Sequence, residues 1–138
     1  MHYHNDGSAW AWKTGADINL FEAWEKFNAG RPEVIVAVVD MGVQYDHPDL
    51  AANMWVNEAE LNGAPGVDDD GNGYVDDVYG YNFDKDTGAI EPGGHGTHCA
   101  GTIAAVNNNG IGVCGVAGGT GNGERGTYHV HSDGPRCC

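Results

Sequence analysis

Three stretches of this 138-residue chain predict an α/β fold, a parallel sheet flanked by helices. Residues 34–39, Val-Ile-Val-Ala-Val-Val, form an unbroken apolar run that ends in Asp40 and the turn residue Gly42. Such a run reads as a strand buried on both faces, as the strands of parallel sheets are. Gly93-Gly94-His95 leads into a run of mostly small residues through Ala105. Small side chains let a helix approach its neighbours closely, so this segment reads as a buried helix. Leu20, Phe21, Trp24 and Phe27 recur at helical spacing, with Glu22, Glu25 and Lys26 between them, and predict a second, amphipathic helix.

The remaining elements follow in chain order. Residues 1–16, aromatic and polar without a clean period, read as an extended arm, with Tyr3, Trp10 and Trp12 as packing anchors. Asp17 offers an N-cap to the first helix. Asn28-Ala29-Gly30 ends that helix, and Pro32 prevents its continuation. The apolar strand comes next, and Asp40 stands at its carboxyl end, where open α/β sheets carry their sites. A loop closes on His47-Pro48-Asp49, an acidic stretch follows, and Tyr79 to Phe83 reads as strand or extended chain. Residues 85–92 form a polar connection into the His95 helix, which should run to Ala105 or Val106. His95 falls at the start of that helix, a rigid mount suited to a general base.

Length and charge bound the function. A chain of 138 residues is one domain at most. Six basic residues against 20 acidic ones give a net charge of −14, which argues against nucleic acid as a partner. The acid is clustered, which points to bound cations. The longest apolar runs fall far short of the roughly 18 residues a membrane span needs. Met1 to Asp6 has neither a basic nor an apolar region of the kind a signal peptide carries. None of the spacings among Cys99, Cys114, Cys137 and Cys138 is that of a zinc site. Cys99 and Cys114 read as buried small hydrophobes, and the adjacent Cys137 and Cys138 are poorly placed to bridge each other.

Asp68-Asp69-Asp70-Gly71-Asn72-Gly73-Tyr74-Val75-Asp76 carries oxygen ligands in the order of a calcium loop. Asp68, Asp70, Asn72, Tyr74 and Asp76 fall at positions 1, 3, 5, 7 and 9, with Gly73 at position 6. The twelfth position is Tyr79 where that loop has glutamate, so its bidentate ligand is lacking. Two readings stand, a bound calcium ion and a solvated acidic turn. Like charges this close repel strongly without a cation.

Val38-Val39-Asp40-Met41-Gly42-Val43 with His47-Pro48-Asp49-Leu50, His95-Gly96-Thr97-His98-Cys99-Ala100-Gly101-Thr102, and Gly110-Ile111-Gly112-Val113-Cys114-Gly115-Val116-Ala117 resemble, in that order, three blocks of the subtilisin-like serine peptidases. The resemblance covers roughly residues 2 to 119. It implies an incomplete subtilisin-like three-layer fold, with residues 66–79 an inserted calcium loop. It also implies that Asp40 orients and stabilises the His95 imidazole and that His95 is the general base. Met41 departs from the pattern, which has Ser or Thr there. By the same resemblance Asp49 is a calcium ligand. The carbonyls of Val106, Ile111 and Val113 and one Asn side chain, Asn109 or Asn108, complete its cage. Calcium at one or two sites is therefore expected as a structural cofactor. A polypeptide substrate is expected too, as are a propeptide and the remainder of a catalytic domain in the intact protein, and a secreted or envelope location.

A serine peptidase also needs a nucleophilic serine and oxyanion donors. The chain has only Ser8 and Ser132, and neither sits in a serine block of that family. The resemblance thus covers the N-terminal part of a peptidase domain, and this chain is expected to lack triad-dependent activity. A sheet cut after a couple of strands also leaves an apolar edge open, so poor stability and aggregation are expected. Residues 120–138 lose all helical or strand period. Read one nucleotide forward, codons for residues 126–131 permit Val-Arg-Ile-Met-Ser, which matches the kind of strand the family carries next and suggests a shifted frame. The alternative function class is a non-catalytic calcium-binding module, which needs neither the Asp40 block nor the His95 block.

Overall fold

The computed structural model describes residues 5–8, 13–27 and 29–119. The expectations for Tyr3, Trp10 and Trp12, for Ser132, Cys137 and Cys138, and for the irregular segment 120–138 lie outside these residues. The elements, in order, are helix α1 (Leu20–Lys26), a 3-10 turn (Ala51–Asn53), the short helix α2 (Glu58–Leu61) and helix α3 (Gly94–Ala104).

Helix α1 buries Leu20 and Trp24 against Ala29, with Phe21 beside them. That is the face the spacing predicts. Asp17 does not cap it. The N-cap is Asn19, in a left-handed conformation with no side-chain hydrogen bond to the helix. The Asp17 carboxylate instead accepts the amides of Asn5 (2.9 Å) and Asn19 (2.7 Å), so it builds the turn before the helix. The Trp24 indole donates to the Val116 carbonyl at 2.9 Å. The Gly119 amide donates to Ala29 at 3.1 Å. These two bonds tie α1 to the end of the described chain.

Helix α3 begins and ends close to where its small residues predict. Its buried residues are Gly96, Ala100 and Gly101. Ala100 and Ala105 pack on Leu50, with Val38, Val43 and Met54 around them. The Asn53 side-chain amide donates to the Ala104 carbonyl at 2.8 Å, and the Val106 backbone amide to the Asp49 carbonyl at 2.8 Å. The loop that follows Asp40 is thus fastened to both the face and the end of α3.

The expected sheet is not seen among the described residues. Among the described residues there is no strand, and pairing is confined to one antiparallel bridge between Asn82 and Thr87. Residues 34–39, expected to be buried on both faces, are largely exposed, from 55% at Val36 to 95% at Val39. Only Val38 is half-buried, on the α3 cluster. The physical reason is the absence of partners. A parallel strand is satisfied only by neighbouring strands on its edges and helices over its faces, and no other described segment supplies a ladder. The run instead lines an open trough of ≈ 1570 Å³, whose other walls include residues 53–56, residues 79–85 and the Ala100–Ile103–Ala104 face of α3.

Candidate active site

The site is built where the chain after residues 34–39 meets the first turn of α3. Gly96 sits against the Gly42 carbonyl and Asp40. A Cβ there would collide with that carbonyl and press on the Asp40 Cβ at 3.0 Å. Gly42 is in the left-handed region, with φ 147°, and has its own close contact with the Glu91 carbonyl. Glycine at both places is what lets two backbones touch. Thr97 then bolts the two segments together. Its hydroxyl donates to the Gly93 carbonyl at 2.6 Å and accepts the Gln44 amide at 2.9 Å.

This approach places Asp40 Oδ2 2.5 Å from His95 Nδ1, across 55 residues of chain. The His95 side chain is 81% exposed, whereas that of Asp40 is 14% exposed. The other carboxylate oxygen, Oδ1, accepts the Met41 amide at 2.8 Å. The Met41 amide first, and the His95 ring second, hold the Asp40 carboxyl below the usual carboxylate range. The Met41 side chain is 94% exposed and takes no part. With Nδ1 turned to a carboxylate, Nε2 is the nitrogen left to accept a proton, the arrangement a general base requires.

Asp49 is 2% exposed. Its carboxylate accepts the Asn109 side-chain amide at 2.7 Å and the Val113 amide at 2.8 Å, and its carbonyl accepts the Val106 amide. Asn109, whose own carbonyl accepts the Ile111 amide at 3.1 Å, is therefore the asparagine beside Asp49. Asp49, Val106, Asn109, Ile111 and Val113 are brought together.

In the acidic loop, Asp68, Asp70 and Asn72 wrap the turn. Asp68 accepts the amides of Gly71, Asn72 and Gly73. Asn72 accepts the Tyr74 amide at 2.7 Å. The Asp76 carboxylate points elsewhere and accepts the Gly66 amide with both oxygens. The Tyr74 ring packs on Tyr81 and Phe83. The carboxylates that converge are Glu60, Asp70 and Asp77, with donor oxygens within 4.8 Å of one another. Glu60 and Asp77 are 5% and 8% exposed. Glu60 also accepts the amides of Asp69, Asp70 and Asp76, which fixes it to the loop. Buried Asn57 donates to Asp70 at 2.9 Å and Asp77 at 2.8 Å, and it is the first cause of the lowered Asp70 pKa. Three carboxylates so close, two of them buried, fit an oxygen-seeking divalent cation.

Glu60, Asp77 and Asn57 were not among the residues the loop pattern singles out. A signal existed in the empty twelfth position, which asks for a carboxylate from outside the loop. Cys99 was also missed as a site residue. It is half-buried beside His95 and is a free thiol, and Cys114 is buried.

Residues 31–122 match the model of the subtilase family. A subtilisin-like protease 1 of Plasmodium vivax is 50% identical over 107 residues, covering 75% of this chain and 17% of that protein. Halolysin of Haloferax mediterranei is 36% identical over 106 residues, 75% of this chain and 17% of its own length. A halolysin-like extracellular serine protease of Natrialba magadii is 36% identical over 104 residues, 72% of this chain and 16% of its own length. The chain spans less than a fifth of the length of these relatives. Among the described residues no helix is long and apolar enough to cross a membrane.

Proposed function

The chain belongs to the subtilase family, an α/β family of serine endopeptidases, and from that premise we propose that it carries two of the three catalytic side chains of such an enzyme. His95 is the general base, and Asp40 holds its ring and stabilises the imidazolium. The serine and the oxyanion donors come from the remainder of a catalytic domain, so the chain by itself does not hydrolyse peptides. The contact of Asp40 Oδ2 with His95 Nδ1, made through glycines at 42 and 96, carries this reading. Residues 34–39 supply a strand to the sheet of the completed domain, and the trough they line is where its other strands lie.

Calcium serves as a structural ion. Asp49 and Asn109, with the carbonyls of Val106, Ile111 and Val113, make one oxygen cage. The acidic loop makes the other, with Asp68, Asp70, Asn72 and Tyr74 as the loop's own oxygens and Glu60 and Asp77 as carboxylates added to Asp70, in place of the Asp76 carboxylate that turns to Gly66. The substrate is a polypeptide, and the working location is outside the cytoplasm or in the envelope. A propeptide accompanies the intact protein.

A chimaera tests this. Residues 31–119 replace the matched region of a subtilisin-like protease, and hydrolysis of a chromogenic peptide is measured. Activity is expected, with a loss of about 10⁴-fold or more in kcat for His95→Ala. A folded chimaera whose activity is indifferent to His95→Ala would refute the assignment.

A further inference from the structure

Asparagine followed by glycine is chemically fragile, because the uncrowded glycine amide reaches the asparagine side chain and displaces its ammonia. Three such pairs lie among the described residues, Asn62-Gly63, Asn72-Gly73 and Asn109-Gly110. A fourth, Asn122-Gly123, lies outside them. The reaction needs a glycine N–H free to lose its proton and a side-chain carbonyl carbon held close and polarised. The three pairs differ in both.

In the acidic loop the Gly73 amide donates to the Asp68 carboxylate at 2.8 Å. A donor held by a charged acceptor gives its proton to solvent reluctantly. After α2 the Gly63 amide donates to the Glu60 carbonyl at 3.3 Å, and the Asn62 side chain is drawn back to the Glu58 carbonyl at 2.8 Å. The Gly110 amide, in contrast, has no hydrogen bond among the described residues, and Gly110 is exposed. Asn109 Oδ1 accepts the Ile111 amide at 3.1 Å. That Asx turn curls the side chain over Gly110 and draws electrons from its carbonyl carbon. Asn109 Nδ2 donates to the Asp49 carboxylate at 2.7 Å, which keeps the side chain there.

We propose that Asn109 is a site of spontaneous modification, converted through a cyclic imide to aspartate and isoaspartate in the folded chain, while Asn62 and Asn72 are protected. The steps balance. Water or a buffer base takes the Gly110 amide proton. The nitrogen lone pair bonds to Asn109 Cγ, the Cγ–Nδ2 bond breaks, and Nδ2 leaves as ammonia with a proton from solvent. Water then opens the imide at Cγ, giving aspartate, or at the main-chain carbonyl carbon of residue 109, rerouting the chain through Cγ as isoaspartate. The aspartate product puts a carboxylate beside Asp49, which is 2% exposed. Asp49 Oδ1 loses its donor and meets a like charge, so the 106–113 segment loosens from it unless a cation lies between them. Relief by calcium rests on the cage proposed above; the modification does not.

The test incubates the full chain with chelator in mildly alkaline buffer and follows each asparagine by peptide mass mapping, with isoaspartate identified by enzymatic methylation. Asn109 should convert tenfold or more faster than Asn62 and Asn72, with isoaspartate the larger product. In denaturant the three rates should converge, since the same dipeptide then decides them. Asp68→Ala frees the Gly73 amide and should raise the Asn72 rate tenfold or more while leaving that of Asn109 unchanged. A folded chain in which Asn109 converts no faster than Asn72, or converts without isoaspartate, would overturn the proposal. No readout uses the chain's own catalysis, so failure here leaves the peptidase assignment standing, and failure of the chimaera leaves this site standing.

Discussion

Residues 34–39 and helix α3 meet at Asp40, yet they satisfy their backbones in opposite ways. Helix α3 bonds its own peptide groups and needs neighbours only for one narrow face, which Leu50, Val38, Val43 and Met54 cover. The apolar run depends on other strands for every ladder bond, and the described residues contain none. The contrast teaches which parts of a domain a short stretch of chain can assemble. Glycine contacts, Asx-type turns and side-chain-to-backbone bonds close over nearby residues and build the Asp40–His95 corner and the acidic loop. A central strand is a property of the whole sheet.

Removing calcium should blur the contrast most, because it attacks the locally built side. If the acidic cages bind the ion, a hundredfold excess over Kd stabilises the chain by about 2.7 kcal/mol. Chelation should lower the thermal midpoint accordingly, followed by circular dichroism. A chain indifferent to chelator would remove calcium from the picture.

Gly96→Val breaks the corner directly. The branched side chain has no space between the Gly42 carbonyl and Asp40, and such overpacking costs about 1–3 kcal/mol. Denaturant titration should show the loss, with hydrogen exchange of Thr97 and Ala100 amides speeding up first.

Ile35→Glu probes the other side. Ile35 is 62% exposed, so the stability change should stay within about 0.5 kcal/mol. Aggregation measured by light scattering should nevertheless fall, because a charge on an open strand edge discourages pairing with another chain. A large loss of stability would mean that residues 34–39 are already paired.

The smallest effect is that of pH. The folded Asp40 carboxyl titrates below its ordinary value of 3.8. Its contribution to stability is therefore fully present above that ordinary value and is lost as pH falls through the lower folded one. Acid titrations of wild type and Asp40→Asn should coincide below that window, separate as pH rises through it and stay apart above it.

How much was legible follows the same division. Helix α3 was readable from Gly93, Gly94 and the small residues after His95, because the signal and the structure are both local. The Asp40–His95 pairing was readable only through the order of the family's blocks, since no spacing of 55 residues predicts a contact by itself. Glu60 and Asp77 escaped the loop pattern because folding, not adjacency, carries Glu60 to the Asp70 carboxylate. Cys99 was readable as a neighbour of His95 at i, i+4, but its exposure was not, since that depends on what covers α3. The run at 34–39 announced a strand through its valines and isoleucines, while its pairing depends on chain beyond its neighbourhood.

The most direct measurement is a carbon-13 NMR titration of the Asp40 carboxylate in the full chain, with and without His95→Ala. A pre-assembled pair predicts a midpoint below the ordinary value that rises when the ring is removed. It should still stay somewhat low, because the Met41 amide remains the first cause of the shift. An Asp40 midpoint at the ordinary value, unmoved by His95→Ala, would mean that the two side chains do not meet in this chain.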